Sequence, residues 1–402
     1  VRLLFIGHTY TIRANQAKIA ALAAMPDVSL TLVTPDRWKG PLYSNITDPY
    51  IATKGEAVEH HVLRSAFVGK ESAYFFRNKL FSIVAELRPD IVHVEQGAYA
   101  LSYAQTILAL KKFAPDARTT FFTWWNLPYR LTGFKGLLET FNLQHSSCAI
   151  TGNAEAKSIL ICRGFKRPIT VIPQIGVDPH TFELPHNEVL KSKLGLIGFV
   201  IGYVGRVTEE KGVMNLVEAL GQMERKSDVS LYVVGDGPML DRVIARAAKL
   251  GVRVVHTKAI RNEDVPQHLA VIDTLVLPSL TTEGWVEQFG HILIEAMAAG
   301  VPVIGSSSGE IPNVIQEGGR IYPEADTESL ARILDHFQAN PKLRNDLIAK
   351  GKLRVEREFT HQRIAEKQMK VYEWMMTSGK SVGELSARAR ENKRSGSIEG
   401  AL

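Results

Sequence analysis

Short apolar runs along the chain alternate with longer stretches in which apolar residues recur every three or four positions. The first kind predicts buried strands, the second helices that bury one stripe. Leu3–Ile6 is an apolar run, and the Ala-rich stretch Arg13–Ala24, ended before Pro26, reads as a helix. Val28–Val33 alternates with period two and predicts a second strand. Residues 35–55, with Pro35, Gly40, Pro41, Pro49 and Gly55, read as loop, and 57–63 as a further strand. In Ala73–Leu87 the side chains of Phe76, Leu80, Ile83, Val84 and Leu87 form one helical stripe, which Arg88-Pro89-Asp90 stops. Strands Ile91–Val94, Thr119–Phe122, Cys148–Thr151 and Ile169–Ile172 then alternate with helices Tyr99–Lys112, Gly136–His145 and Ala154–Cys162.

The alternation breaks at residues 173–186, where three prolines and no periodicity predict an interdomain linker. It restarts with strands Phe199–Val204, Val229–Val234, Val252–His256, Thr274–Leu277 and Val301–Ile304. Between and after them lie helices Val213–Met223, Met239–Leu250, Glu263–Ala270, Ile311–Gln316 and Thr327–Gln338. Such alternation predicts mostly parallel sheets with helices on both faces. The expected fold class is α/β, with two Rossmann-like doubly wound domains at 1–172 and 187–358 facing a central cleft. A final amphipathic helix is expected at 359–376 and a polar, basic tail, disordered or weakly helical, at 377–402.

Composition narrows the function classes. At 402 residues, 45% hydrophobic and 22% charged, the chain has ordinary globular composition and length for two cores. No stretch reaches about 18 consecutive apolar residues, which excludes a membrane-spanning helix from the reading. The opening Val1-Arg2-Leu3-Leu4-Phe5-Ile6-Gly7 flows into a strand and does not read as a signal peptide. Two cysteines, Cys148 and Cys162, lie outside any metal-binding spacing, so a reduced, cytoplasmic setting is expected. The net charge of +6 favours an anionic partner, either a phosphate-rich substrate or an acidic membrane face. No nucleic-acid-binding motif is present, and nucleic acid is not an expected partner.

In doubly wound sheets ligands bind beyond the carboxyl ends of the strands, so the strand-end loops carry the candidate chemistry. After Val204 comes Gly205-Arg206-Val207-Thr208-Glu209-Glu210-Lys211-Gly212. Gly205 lets the chain turn, while Arg206 brings a bidentate fork and Lys211 a compact charge to one anion. After Val234 comes the tight turn Gly235-Asp236-Gly237-Pro238, and after His256 the loop Thr257-Lys258-Ala259-Ile260. After Leu277 a polar loop carries Glu287; Phe289-Gly290 then opens a helix that runs through His291 and Glu295 to Ala299, where Gly300 and Pro302 stop it. Unpaired N–H groups at that helix start suit a phosphate, and the flanking carboxylates accept hydrogen bonds from hydroxyls. Phosphate plus hydroxyls describes a nucleotide sugar. The plainer alternative is a charged surface loop and two solvated glutamates. In the first domain the strand ends offer His8, Glu95 and Asn126, with His93 buried in its strand. Trp124 and Trp125 read equally as packing or as sugar stacking. Phe67, Lys70, Tyr74, Phe75, Arg77 and Lys79 read as core plus solvated face, with a membrane-facing edge as the alternative.

The run Glu287-Gln-Phe-Gly-His-Ile-Leu-Ile-Glu295 resembles the Glu–seven residues–Glu signature of retaining glycosyltransferase family 4. Ala299-Gly-Val-Pro-Val-Ile-Gly305 follows it, and Gly205-Arg206 with Lys211-Gly212 and Gly235-Asp-Gly-Pro238 precede it in the family's order. The resemblance covers the second domain by motifs. It covers the first mainly by strand–helix order, with Ala149-Ile-Thr-Gly-Asn-Ala-Glu-Ala156 as a weaker match. The chain departs from the family in having one glycine after the first strand, and Trp124-Trp125-Asn126 where many members carry a histidine.

The resemblance implies the two-domain GT-B architecture and sugar transfer from a nucleoside diphosphate sugar to a hydroxyl of a glycan or lipid-linked acceptor, with peripheral contact at the cytoplasmic membrane face left open. Arg206 and Lys211 then hold the diphosphate, Glu287 the sugar and Glu295 the ribose. Gly205, Gly235, Gly237, Phe289, Gly290 and His291 line the donor site, Ala259 and Ile260 flank the base, and Glu95 and Asn126 are catalytic candidates on the acceptor side. No Asp-x-Asp motif suited to a metal–diphosphate is present, so no metal and no cofactor are expected. By the family's habit the helix Phe359–Met376, with Ile364, Met369, Tyr372 and Met376, crosses back to the first domain. A nucleotide-sugar 2-epimerase of the same fold and a non-enzymatic two-domain ligand-binding protein are the alternatives.

Overall fold

A computed structural model describes residues 1–40, 47–48, 50 and 58–387. The prolines and glycine expected in the loop at positions 41, 49 and 55, and the tail from 388 on, lie outside the described residues. The chain forms two compact units, Val1–Ile175 with the chain from Ile364 onward, and Gly176–Arg363.

The first unit holds a seven-stranded parallel sheet. Its strands are β1 (Arg2–Ile6), β2 (Ser29–Pro35), β3 (Val58–Leu63), β4 (Ile91–Val94), β5 (Arg118–Thr123), β6 (Cys148–Thr151) and β7 (Ile169–Val171), in the order β3-β2-β1-β4-β5-β6-β7. The second unit holds β8 (Phe199–Val204), β9 (Val229–Val234), β10 (Arg253–Thr257), β11 (Thr274–Leu277), β12 (Val303–Ser306) and β13 (Gly319–Tyr322), all parallel, in the order β10-β9-β8-β11-β12-β13. Helices on both faces bury the central strands, which is why β1, β4, β8, β9 and β11 are nearly continuous apolar runs. In both sheets the order reverses between the first and fourth strands, the point where such sheets open a crevice.

Five segments depart from the sequence reading. The helix expected over Ala73–Leu87 begins only at Leu80. Phe75–Phe76 instead pairs antiparallel with Ser65–Ala66, and Lys79 takes a left-handed conformation (φ 61°) just before the helix. Phe76 is buried all the same, so its place in the expected stripe is filled without a helix there. The supposed linker is largely structured within the second unit: Val177 bridges to Thr360, and Asp178 caps a short helix, Pro179–Phe182. A helix over Pro341–Glu358 and strand β13 were not expected. The tail from 379 to 387 is docked. Val382 and Leu385 are buried, the N–H groups of Val382 and Gly383 donate to the carbonyls of Ala117 and Pro115 (2.9 and 2.8 Å), and Ser147 Oγ donates to the Lys380 carbonyl at 2.6 Å.

The helix His361–Ser378 places Ile364, Ala365, Val371, Tyr372 and Met375 in one cluster with Leu3, Phe5, Ile19 and Leu22 of the first unit. The Tyr372 hydroxyl and Gln368 Nε2 lie 2.8 and 2.9 Å from Nδ1 of the buried His93. Among the described residues no helix is long and apolar enough to cross a membrane.

Burial pushes His8 down to about 3 and His93 well below its ordinary value. Both are therefore neutral in the folded first unit and bind a proton on unfolding once the pH is below about 6.5. The unfolded state then binds more protons, so their contribution is complete above about 6.5 and is lost as the pH falls toward the folded values. Between pH 7 and pH 5 urea unfolding should show a stability loss of about 2 kcal/mol per histidine. A flat or opposite dependence would contradict this assignment of charge.

Candidate active site

Strands β8 and β11 are neighbours although β9 and β10 intervene in the sequence; Ile201 pairs with Thr274 and Gly202 with Leu275. Their carboxyl-end loops, 205–212 and 278–290, leave the sheet side by side at the point of reversal. Gly212 is left-handed (φ 66°), and a Cβ there would collide with the Pro278 carbonyl oxygen. Glycine is thus what lets the two loops meet. A Cβ at Gly235 would likewise run into the Gly205 carbonyl, so the loop after β9 packs backbone to backbone against the loop after β8.

This contact pairs two of the candidate side chains. Lys211 Nζ lies 2.6 Å from Glu287 Oε2, and the same carboxylate oxygen accepts from Ser279 Oγ at 2.7 Å. The Lys211 ammonium also sits 4.4 Å from the Trp285 ring centroid. Both charged side chains are largely buried, at 16% and 7% exposure. The Glu287 carbonyl accepts the Glu310 N–H at 3.1 Å, which ties the loop after β12 to the same place. Arg206 behaves differently. Its side chain is 66% exposed, 3.8 Å from Glu210, while its carbonyl accepts the hydroxyl of Tyr203. Burial, with Glu287 adding to it, holds that tyrosine above its ordinary value, so it is a neutral donor. Arg206 and Lys211 therefore share a loop, with Lys211 turned onto Glu287 and Arg206 facing solvent.

Gly290 (φ 79°) starts the helix His291–Ala298, and Phe289 is buried edge-on to Phe359. One turn in, Glu295 Oε1 lies 3.1 Å from His291 Nδ1. On the neighbouring edge Asp236 links two loops: its carbonyl accepts the Val207 N–H (2.9 Å), and its carboxylate accepts the Ala259 N–H (2.8 Å). Gly237 packs on Val207, and Ala259 and Ile260 are at least partly exposed beside this turn. The loops carrying the second-unit candidates are thus tied into one group at the carboxyl ends of β8, β9, β10 and β11.

The first-unit candidates behave differently. Glu95 is a correction to the sequence reading: its side chain has no exposed surface. It is ion-paired with the buried Lys18, accepts from Gln174 Nε2, and lies 3.6 Å from His93. A carboxylate so enclosed organises the interior and does not face a ligand. His8 is buried, bonded to Gln96 Nε2 and stacked on Trp38 with ring centroids 4.1 Å apart. Asn126 is buried after β5. Trp124 packs, with its Nε1 donating to Gln174 at 2.8 Å and its ring where a Gly152 Cβ would be, whereas Trp125 is exposed. Sequence reasoning missed Ser279, Trp285, Asp236 and Glu310 as partners of the site. Each lies in or beside a recognised strand-end loop, which was the available signal.

Residues 191–354 match the family model described as glycosyl transferases group 1. Over that part the chain is similar to this family, and each of its two units has a Rossmann-like parallel sheet of the GT-B type. A 2-deoxystreptamine glucosyltransferase from Streptomyces kanamyceticus is 34% identical over 166 residues, 39% of this chain and 41% of that one. A GDP-mannose-dependent alpha-(1-6)-phosphatidylinositol monomannoside mannosyltransferase from Mycolicibacterium smegmatis is 32% identical over 150 residues, 36% of this chain and 39% of that one. The chain thus spans well under two thirds of these relatives' lengths. Among solved structures, a glycosyltransferase from Rickettsia africae has a TM-score of 0.69 at 17% identity, covering 94% of this chain and 99% of that one. Anabaena Alr3699/HepE in complex with UDP has a TM-score of 0.66 at 16% identity, covering 93% and 100%. At these identities the likeness is one of fold.

Removing Lys211 would take from the buried Glu287 carboxylate the charge it is paired with. Lys211→Met should destabilise the second unit by about 3 kcal/mol. Adding Glu287→Gln should recover part of that loss, because the coupled pair is then removed together. Chemical denaturation of the single and double variants tests this, and strictly additive losses would contradict the pairing.

Proposed function

We propose that the chain is a retaining glycosyltransferase that moves a sugar from a nucleoside diphosphate sugar to a hydroxyl of a glycan or lipid-linked acceptor. The observation that carries this reading is the Lys211–Glu287 pair at the reversal point, with Arg206 on the same loop. A diphosphate sugar is the ligand that satisfies both partners when they separate. Its phosphates take Lys211 and Arg206, and its sugar hydroxyls take Glu287, so neither charge is left buried alone.

In the transfer, the acceptor oxygen bonds to the anomeric carbon on the face from which the diphosphate departs. The bond from that carbon to the phosphate oxygen breaks with its electron pair going to the phosphate. The acceptor's proton passes to the departing diphosphate, giving a glycoside and a nucleoside diphosphate. Arg206, Lys211 and the helix start at Gly290 counter the charge that grows on the leaving group. Metal is no part of this proposal, and neither is a cofactor. Glu295, one turn inside the helix, serves the ribose. Ala259 and Ile260 flank the base, while Gly205, Gly235 and Gly237 allow close backbone approach, and Phe289 and His291 shape the floor. Asn126 and the strand-end loops of the first unit serve the acceptor, with Glu95 a positioning residue beneath them.

Two substitutions separate the roles. Glu287→Gln should lower turnover tenfold or more, the order of a lost charge-assisted hydrogen bond, and should not weaken the bare nucleoside diphosphate, which draws Lys211 away without offering Glu287 a hydroxyl. Glu295→Gln should weaken the bare nucleotide as well. Calorimetric titration beside turnover measures both, and equal weakening of the bare nucleotide by the two variants would refute the division.

A further inference from the structure

Helices Leu101–Phe113 and Gly133–His145 of the first unit flank an apolar groove of about 510 Å³. Phe75, Leu101, Leu108, Phe134, Leu137 and Phe141 form most of its lining. Its one polar lining residue, Gln105, has its amide engaged by the backbone: the Phe76 N–H donates to Oε1 at 3.0 Å, and Nε2 donates to the Phe76 carbonyl at 2.6 Å. The groove therefore presents hydrocarbon and aromatic surface, in the size range of about 300–1,000 Å³ usual for ligand sites. Its mouth is unusually greasy for an exposed surface. Leu108, Phe134 and Leu137 are 51%, 65% and 70% exposed. Phe67, 59% exposed, extends the patch through a ring contact with Phe75 at 6.1 Å.

Charge around this surface is mostly basic, with Glu71, on the segment between Phe67 and Phe75, as an exposed acidic exception. The two helices carry a single acidic side chain, Glu139, which is buried against Arg163. Their exposed charges are Lys112, one turn beyond Leu108, and Lys135, beside Phe134; Arg130 is exposed in the loop ahead. Arg77 and Lys79, exposed after Phe75–Phe76, continue the basic border. The mixed aromatic and basic cluster of the sequence thus divides, with Tyr74 and Phe76 in the core and Phe67, Arg77 and Lys79 outward.

We propose that this face docks on an anionic lipid bilayer, with Phe134 and Leu137 entering the acyl boundary and one lipid chain lying in the groove. Lys112, Lys135 and Arg130 then meet the lipid headgroups. An apolar floor inside a cationic border is the pattern that binds acidic membrane surfaces. A second copy of the chain offers the same border and would set positive charge against positive charge, so charge complementarity favours the bilayer. The docking uses none of the donor-site residues and stands apart from the sugar-transfer reading.

The test is sedimentation of the full chain with vesicles of phosphatidylcholine alone and of phosphatidylcholine mixed with phosphatidylglycerol. The protein should pellet with the mixed vesicles and stay largely in solution with phosphatidylcholine alone. Phe134→Ser with Leu137→Ser should lower partitioning about tenfold or more. Lys112→Gln and Lys135→Gln should each lower it about fivefold on the mixed vesicles. All four positions are exposed, so unchanged circular dichroism and unchanged nucleotide binding are expected. A fluorophore on Leu137→Cys should be quenched by lipids brominated along the acyl chain. The proposal is overturned if the wild-type chain stays in solution with both vesicles, or if the serine variant partitions like wild type. It is equally overturned if the chain forms a dimer that the serine substitutions dissociate, without vesicle binding. Loss of nucleotide binding with vesicle binding retained would count against the sugar-transfer reading alone.

Discussion

A lysine and a glutamate held 2.6 Å apart at the ends of two adjacent parallel strands hold together the strand-end loops of the second unit. The pair exists because the strand order reverses between β8 and β11, which places residues 76 positions apart in the sequence on touching loops. Glycine at 212 makes the touch sterically permissible. Taking two charges out of water is costly unless each is met by its partner and by further hydrogen bonds. Ser279 and the Trp285 ring supply such support, so the loops after β8 and β11 are held together by more than backbone packing. On the proposed reading the same requirement makes the site selective. A ligand that parts Lys211 from Glu287 must replace both, with an anion on one side and hydroxyls on the other.

The first unit repeats the topology and fills the equivalent place differently. Glu95, just beyond β4, turns inward to Lys18, and Gln174 and His93 close around them. Gln174 precedes the crossing of the chain into the second unit, and Gln368 and Tyr372, which meet His93, follow its return. One buried polar network therefore anchors both chain crossings to the first unit's sheet. Gly7 fits this arrangement, since a Cβ there would press on Glu95 and Tyr10.

How much was legible in the sequence follows from what each segment buries. Phe199–Val204, Val229–Val234 and Thr274–Leu277 are covered on both faces and announce themselves as apolar runs. Gly319–Tyr322 is an edge strand with Arg320 exposed, and its short mixed pattern carries no such signal. The helix Pro341–Glu358 was obscured because a buried position in it is Arg354, whose guanidinium donates to the carbonyls of Asn313 and Val314. In the site, motif order assigned Arg206, Lys211 and Glu287 to strand-end loops. Their partnership was not legible, because spacing along the chain says nothing about which loops touch. Glu95 misled for a related reason: a place at a strand end does not determine whether a side chain turns to ligand or to core.

The central claim is that the loops after β8 and β11 bind a nucleoside diphosphate sugar through Arg206, Lys211 and Glu287. Thermal unfolding with UDP-, GDP- and dTDP-sugars, in the presence of a chelator, tests it most directly. A ligand that binds only the folded state at a hundred times its Kd adds about 2.7 kcal/mol of stability. At least one of these sugars should therefore raise the unfolding temperature by several degrees. Arg206→Ala should weaken that ligand by about 1.5–3 kcal/mol, the loss of a charge-assisted hydrogen bond. No shift with any nucleotide sugar, or an equal shift in the Arg206→Ala variant, would contradict the account.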